Sequence, residues 1–195
     1  MTQLETIIAA NRNFTRPNAF PPLPKSPKKQ LAIFTCMDTR LVDFLEPAMG
    51  LTRGDAKVIK NAGNTIVDPV SGSVIRSLVA GIFMLGVEEV FVIGHRDCGM
   101  AELDAGSVKR DMINRGISPD IIDILVPDLK QWLGIFNHPV ENVERVVKII
   151  RHNPLIPRDV PIHGLIFCPN DGHLDVVVDG YSQESFASEV TRHVF

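Results

Sequence analysis

The chain is poor in the features that would place it outside a reducing, aqueous compartment. Three cysteines (Cys36, Cys98 and Cys168) occur in 195 residues. So odd and sparse a set does not make a disulfide framework, and it fits thiols used in metal or redox chemistry. No sign of charge dominates: 20 Lys and Arg against 23 Asp and Glu leave a net charge of −3, with no basic run. That removes the electrostatic footprint of a nucleic-acid binder. No long apolar run is present, because the most apolar stretch, Val74 to Val87, is short and carries Arg76. The start, MTQLETIIAANRNF, lacks the basic, apolar and small-residue parts of a signal peptide. The expectation is a soluble cytoplasmic protein without membrane partners. Phosphate loops are missing as well: no G-x-G-x-x-G occurs, and the Gly94–Gly99 segment lacks a following Lys-Ser/Thr, which disfavours a nucleotide-binding module.

What is present is ordinary globular composition, 45% hydrophobic and 22% charged. Residues 1–195 read as one domain, in which 1–27 form an N-terminal helix and a Pro-rich arm. Leu4, Ile7 and Ile8 have helical spacing after Thr2, a candidate N-cap. PNAFPPLPKSPKK cannot continue a helix. Short apolar runs then recur at LAIFT (31–35), AKVIK (56–60), EVFVIG (89–94) and HGLIFC (163–168). Such runs suit strands buried on both faces of a parallel sheet. Between them, Ser71 or Ser73 is placed to cap a helix that Gly86 ends, and a second helix sets Val143, Val146, Val147 and Ile150 on one face. Asn170-Asp171-Gly172 marks a turn, so LDVVVD returns antiparallel. The fold class is therefore α/β: a mostly parallel central sheet of about four strands plus an antiparallel edge strand, flanked by helices.

Ligands of such sheets bind beyond the carboxyl ends of the strands. Two reactive segments lie there. One run leads into Cys36-Met37-Asp38-Thr39-Arg40, another into Gly94-His95-Arg96-Asp97-Cys98-Gly99. Cys36, His95 and Cys98 make a suitable zinc set, with S–Zn and N–Zn bonds of about 2.3 and 2.0 Å and a fourth position left open for chemistry. Two thiolates neutralise the dication, so bound water is less acidic than at an all-histidine site and nearby hydrogen bonds matter more. In an extended segment Cys36, Asp38 and Arg40 project the same way, and the guanidinium clamps the carboxylate. Asp38 then either orients a zinc-bound hydroxide or swings onto the metal.

The whole pattern of CMDTR, KNAGN and GHRDCGM resembles the beta-class carbonic anhydrases, whose motifs read C-x-D-x-R and H-x-x-C around an N-A-G-type loop. The I-x-x-N-P segment at Ile150–Pro154 and Gly180-Tyr181 agree as well, and the resemblance runs from Pro27 to Tyr181. It implies one zinc ion per chain on Cys36, His95 and Cys98, with an Asp38–Arg40 dyad governing the fourth position. It also implies a Gly99 N–H that helps hold bicarbonate, and Asn61 and Gly63 beside the pocket. The implied reaction is reversible hydration of carbon dioxide to bicarbonate by zinc-bound hydroxide, in a homodimer or higher even oligomer whose N-terminal helices embrace the partner. Lys60 and Asn64 depart from the Arg and Gly of many members, and the 104–128 segment either lids the pocket or covers surface.

Other reactive residues are set aside. Cys168 reads as a small buried hydrophobe. His138, His152, His163, His173 and His193 read as surface or capping residues, and Asp97 as a partner of His95 or Arg96. The tail from Ser182 reads as a terminal helix. COS or CS2 hydrolysis on the same zinc site, and a catalytically silent zinc-binding homologue, are the competing readings.

Overall fold

The computed structural model describes residues 2–15 and 20–182; the tail helix expected from Ser182 and His193 fall almost wholly outside them. Thr2 caps the first helix, α1 (Gln3–Phe14), through a reciprocal pair with Glu5, as its sequence predicts. Leu4, Ile7, Ile8 and Phe14 are all exposed on it.

Five strands form one sheet: β1 (Leu31–Cys36), β2 (Ala56–Asn61), β3 (Glu89–His95), β4 (Ile162–Phe167) and β5 (Leu174–Val178). The order is β2-β1-β3-β4-β5. The first four run parallel, and β5 pairs antiparallel with β4. The four apolar runs and the edge strand lie where the sequence sets them, and Cys36 and His95 are the last residues of their strands. Because β2 and β3 flank β1 on opposite sides, the chain order reverses at β1. That switch point opens a crevice at the carboxyl end of the sheet.

Both faces of the sheet are covered. On one, Ala32, Phe34, Val90, Val92 and Ile166 pack against α3 (Ser73–Leu85) and α7 (Pro139–His152), the latter through Val143, Val146, Val147 and Ile150. On the other, Ile33, Ile93, Leu165 and Phe167 pack on Leu41, Leu45 and Leu51, close to α2 (Leu45–Ala48). α7 approaches the sheet closely because β3 and β4 present glycines. A Cβ on Gly94 would lie 2.7 Å from Val143 Cγ2, and one on Gly164 2.8 Å from Val143 Cγ1. Three further helices, α4 (Ala105–Asn114), α5 (Pro119–Leu125) and α6 (Leu129–Leu133), fill the 105–133 segment.

One cap differs from expectation. α3 ends on Gly86 as predicted, at φ 70°, but its N-cap is Gly72, and neither Ser71 nor Ser73 caps it. Asp68 organises the turn ahead of it instead, accepting the N–H groups of Val70 and Ser71 and the Ser71 hydroxyl. A carboxylate with two acceptor oxygens satisfies three donors here, more than the two lone pairs of one serine hydroxyl could. No helix among the described residues is long and apolar enough to cross a membrane.

Candidate metal centre

At the carboxyl ends of β1 and β3 the structure brings Cys36, His95 and Cys98 together. Their ligand atoms lie within 4.8 Å of one another, and all three residues are buried. The two sulfurs are 3.9 Å apart. Two thiolates about 2.3 Å from a tetrahedral ion would be separated by about 3.8 Å, so the pair is already at bite distance. His95 Nδ1 lies 2.9 Å from the Arg96 carbonyl oxygen. A carbonyl only accepts, so Nδ1 carries the proton and Nε2 presents a lone pair. Nε2 is buried and has no hydrogen-bond partner. An orphaned buried nitrogen facing two thiols is costly unless something electrophilic sits there. The donor set therefore fits a zinc ion.

The electrostatics point the same way. The Cys98 thiol hydrogen-bonds to Cys36 and pulls its pKa to about 4 against the effect of burial, and His95 and the backbone N–H groups of Asp38 and Gly63 assist. Cys98 moves up in turn, first through its hydrogen bond to Cys36 and then through burial. Burial pulls His95 down, and the neighbouring Cys36 thiolate more than compensates, leaving it raised. A divalent cation would favour the deprotonated form of both sulfurs and of Nε2.

Asp38 and Arg40 do meet, but not on an extended strand. Residues Thr39–Leu41 form a 3-10 turn that Asp38 caps, accepting the Arg40 N–H at 2.9 Å. The turn curls the guanidinium back so that Nε and Nη2 grip the same carboxylate at 3.0 and 2.9 Å. This side-chain grip, ahead of the backbone bond, holds the Asp38 pKa down to about 2. Asp38 Oδ2 lies 3.7 Å from His95 Nε2, at the mouth of the donor set.

Arg40 has a second partner that sequence reading assigned elsewhere. Its Nη1 reaches Asp97 Oδ2 and its Nη2 the Asp97 carbonyl oxygen, both at 2.7 Å. Asp97 does not bond His95 or Arg96; Arg96 pairs with Asp175 instead. The backbone at Asp97 is left-handed, φ 53°, and this turns its carboxylate across the loop toward Arg40. Arg40 is thus held between two carboxylates.

A cleft of about 400 Å³ opens over these groups, walled by Met37, Ala62, Gly63, Gly99 and Met100 beside Asp38, Arg40 and the two cysteines. Gly63 and Gly99 therefore border it. Asn61 does not line it: its amide closes its own loop, bonding Thr65 N–H and carbonyl. Gly63 sits at φ 71°, and a Cβ there would come within 2.8 Å of Met100 Cβ, so close packing requires glycine. Asn64 follows at φ 53°, a conformation asparagine tolerates better than most non-glycine residues, and its amide donates to the Phe34 carbonyl at 2.8 Å. Lys60 pairs with Glu46 at 3.4 Å.

The remaining candidates lie away from the cluster. Cys168 is half-buried rather than filling a core. His163 is buried, not superficial. Its Nδ1 accepts the Gly180 N–H at 3.0 Å, and its ring lies between Phe91 and Tyr181. A histidine opening a strand flanked by apolar residues was the only signal for this. Sequence reading also missed Asn142 and Arg145 on α7, which bond the loop after Asn61. Asn142 occupies a position in the apolar stripe of its helix, and that was the available clue.

The sequence matches the protein family described as carbonic anhydrase over residues 31–174. Bacillus subtilis YvdA, named a putative carbonic anhydrase, is 42% identical over 189 residues, covering 94% of this chain and 95% of that protein. The crystal structure of beta-carbonic anhydrase isoform I from Trichomonas vaginalis superposes with a TM-score of 0.89 at 42% identity. It covers 93% of this chain and 100% of that one. A carbon disulfide hydrolase from Acidithiobacillus thiooxidans is 33% identical over 158 residues, 75% of this chain and 76% of that protein.

Proposed function

We infer that this chain, which belongs to the beta-class carbonic anhydrase family, hydrates carbon dioxide reversibly to bicarbonate at a zinc ion held by Cys36, His95 and Cys98. The observation that carries the reading is the convergence of two thiols and an unpartnered histidine nitrogen beneath an Asp38–Arg40 pair. Zinc bound there supplies the Lewis acidity that makes water a nucleophile near neutral pH.

The protein's own groups do the rest. Arg96 fixes the His95 tautomer through its carbonyl, so that Nε2 always faces the sulfurs. Arg40 keeps Asp38 ionised and turned aside, with a lone pair of Oδ2 left to accept a hydrogen bond from the attacking water. The bidentate grip favours this role for Asp38 over direct ligation. Apolar walls from Met37, Ala62 and Met100 suit a substrate without charge, while the N–H of Gly99 is available to the bicarbonate product. Assembly as a homodimer or higher even oligomer belongs to the same reading and is supported by the exposed apolar stripe of α1.

Stopped-flow hydration by the zinc-loaded protein between about pH 7 and 9 tests the reading. We expect robust activity at neutral pH that is lost in Cys98→Ser along with the zinc. Full zinc occupancy in Cys98→Ser would overturn the ligand assignment. A second reading, CS2 hydrolysis, is favoured by the carbon disulfide hydrolase relative. Turnover of CS2 with none of carbon dioxide would establish it.

A further inference from the structure

The loop that walls the metal pocket is not self-supporting. Residues Ala62–Asn64 form a single 3-10 turn with Gly63 in the left-handed region, and Thr65 and Ile66 follow directly. The carbonyls of so short a turn must find partners elsewhere or lose a hydrogen bond inside the protein. They find them on α7. Asn142 Nδ2 donates to the carbonyl oxygens of Gly63 and Asn64, both at 3.1 Å. Arg145 holds Asn142 in that orientation, its Nη2 donating to Asn142 Oδ1 at 2.7 Å. It also bonds the Thr65 hydroxyl, and its Nη1 reaches the Ile66 carbonyl at 3.2 Å. Asn142 is 3% exposed although it lies among Val143, Val146, Val147 and Ile150. A buried amide in an apolar stripe is stabilising only when all its bonds are made, and here both donor bonds converge on one loop while the oxygen accepts from Arg145.

That loop touches the metal ligands directly. Asn61, which opens the loop, pairs with Cys36 in register and accepts the Met37 N–H at 2.9 Å, Gly63 lines the cleft beside Cys36 and Cys98, and the Gly63 carbonyl is the group Asn142 grips. Asn142 therefore acts on the two peptide planes that meet at Gly63: the one after it directly, and the one before it through a residue wedged against Met100 and Phe136. We propose that Asn142 and Arg145 are positioning residues of the metal centre, holding the Gly63 loop against the Cys36 end of its strand and so setting how strongly the site binds its ion. The inference rests on the reading of Cys36 as a metal ligand. It extends to a helix some eighty residues further along the chain that contributes no ligand of its own.

The mechanism makes distinct demands. Outer groups that hold the backbone beside a metal ligand fix that ligand's orientation; without them the sulfur rotates and the site loosens. Asn142→Ala removes the donor. Asn142→Asp keeps the volume but replaces the amide donor with an acceptor that repels the two carbonyls. Arg145→Lys keeps the charge and loses the fork that reaches Asn142, Thr65 and Ile66 together.

The experiment is zinc affinity by competition with a chromophoric chelator, read beside the thiolate-to-metal absorption of the cobalt(II)-substituted protein. The thermal midpoint of the metal-free protein is measured in parallel. Loss of outer partners of this kind weakens metal binding roughly 10- to 100-fold. We expect that range for Asn142→Ala and Asn142→Asp, a smaller loss for Arg145→Lys, and an altered cobalt spectrum in each. A merely structural role would lower the midpoint while leaving affinity and spectrum as in the parent, and that result overturns the proposal. Arg145→Lys is the mildest change, and an unaltered cobalt spectrum in it would count equally against the proposal should either Asn142 variant fail to fold. Cys36→Ser separates the two levels. If Cys36→Ser binds zinc as tightly as the parent, the metal-site reading fails. If Cys36→Ser loses zinc while Asn142→Ala keeps parental affinity, only the present inference fails.

Discussion

Val143 sits where α7 meets the two glycines of the sheet, and replacing these residues in combination gives a quantitative test of the packing. An added Cβ on Gly94 would lie 2.7 Å from Val143 Cγ2 and 3.1 Å from Ile166 Cδ1. One on Gly164 would lie 2.8 Å from Val143 Cγ1 and 3.1 Å from Val147 Cγ2. Overpacking of this kind costs about 1–3 kcal/mol, offset by about 0.4–1 kcal/mol from the reduced freedom of the unfolded chain. Each Gly→Ala change should therefore destabilise by about 1–2 kcal/mol. Val143→Ala alone removes two buried methyl groups, about 1.6 kcal/mol of transfer energy plus a cavity contribution, or about 2–3 kcal/mol in all. In Gly94→Ala/Val143→Ala the new methyl group occupies the vacated space. The double variant should thus be more stable than the sum of its parts by about 1–2 kcal/mol. Equilibrium urea unfolding at fixed protein and zinc concentration measures the cycle, and each kcal/mol corresponds to about 2–4 °C in a chain of this size. Gly99→Ala is the control, since a Cβ there meets nothing within 4 Å. Additivity within about 0.5 kcal/mol, or no cost in the single glycine variants, would refute the close-approach argument.

Four further outcomes are expected. Arg40→Lys loses the bidentate grip on Asp38 and should lower kcat/KM for carbon dioxide roughly 10- to 100-fold. Asp97→Asn removes only an exposed ion pair, and a loss of more than about fivefold would contradict that ranking. The Asp68 carboxyl is held down to about 2 by the Ser71 hydroxyl and then by the N–H groups of Ser71 and Val70. A depressed folded pKa stabilises above the unfolded value of 3.8 and loses that effect as pH falls toward 2, so the gap in thermal midpoint between the parent and Asp68→Asn should close across that window. A gap independent of pH would exclude the carboxylate as its source. Chelation should lower the thermal midpoint and zinc should restore it. At a hundredfold excess over Kd the effect is about 2.7 kcal/mol, roughly 5–11 °C, and calorimetry should find none of it in Cys98→Ser.

Strand positions, helix faces and the two ligand-bearing segments were legible in the chain because each depends on residues close in sequence. Apolar runs mark doubly covered strands, and alternate strand ends mark where chemistry collects. The left-handed turn at Asn170–Gly172 and the stop at Gly86 are equally local, as is the Thr2–Glu5 cap. The Asp38–Arg40 contact was foreseen for the wrong geometric reason. A spacing of two residues suits a strand and a tight turn alike, and the carboxylate's bond to the Arg40 N–H selects the turn. What only the tertiary structure decided are the bonds between distant segments: Arg40 with Asp97, Asn142 with Gly63, Arg145 with Thr65, and the buried pairing of His163 with Gly180. A side chain's type states what it can donate or accept, but the strand order and the depth at which α7 settles on Gly94 and Gly164 determine which partner it meets. The residue types of the candidate metal centre were thus written locally, whereas the hydrogen bonds that hold them in register arose from the packing of the whole chain.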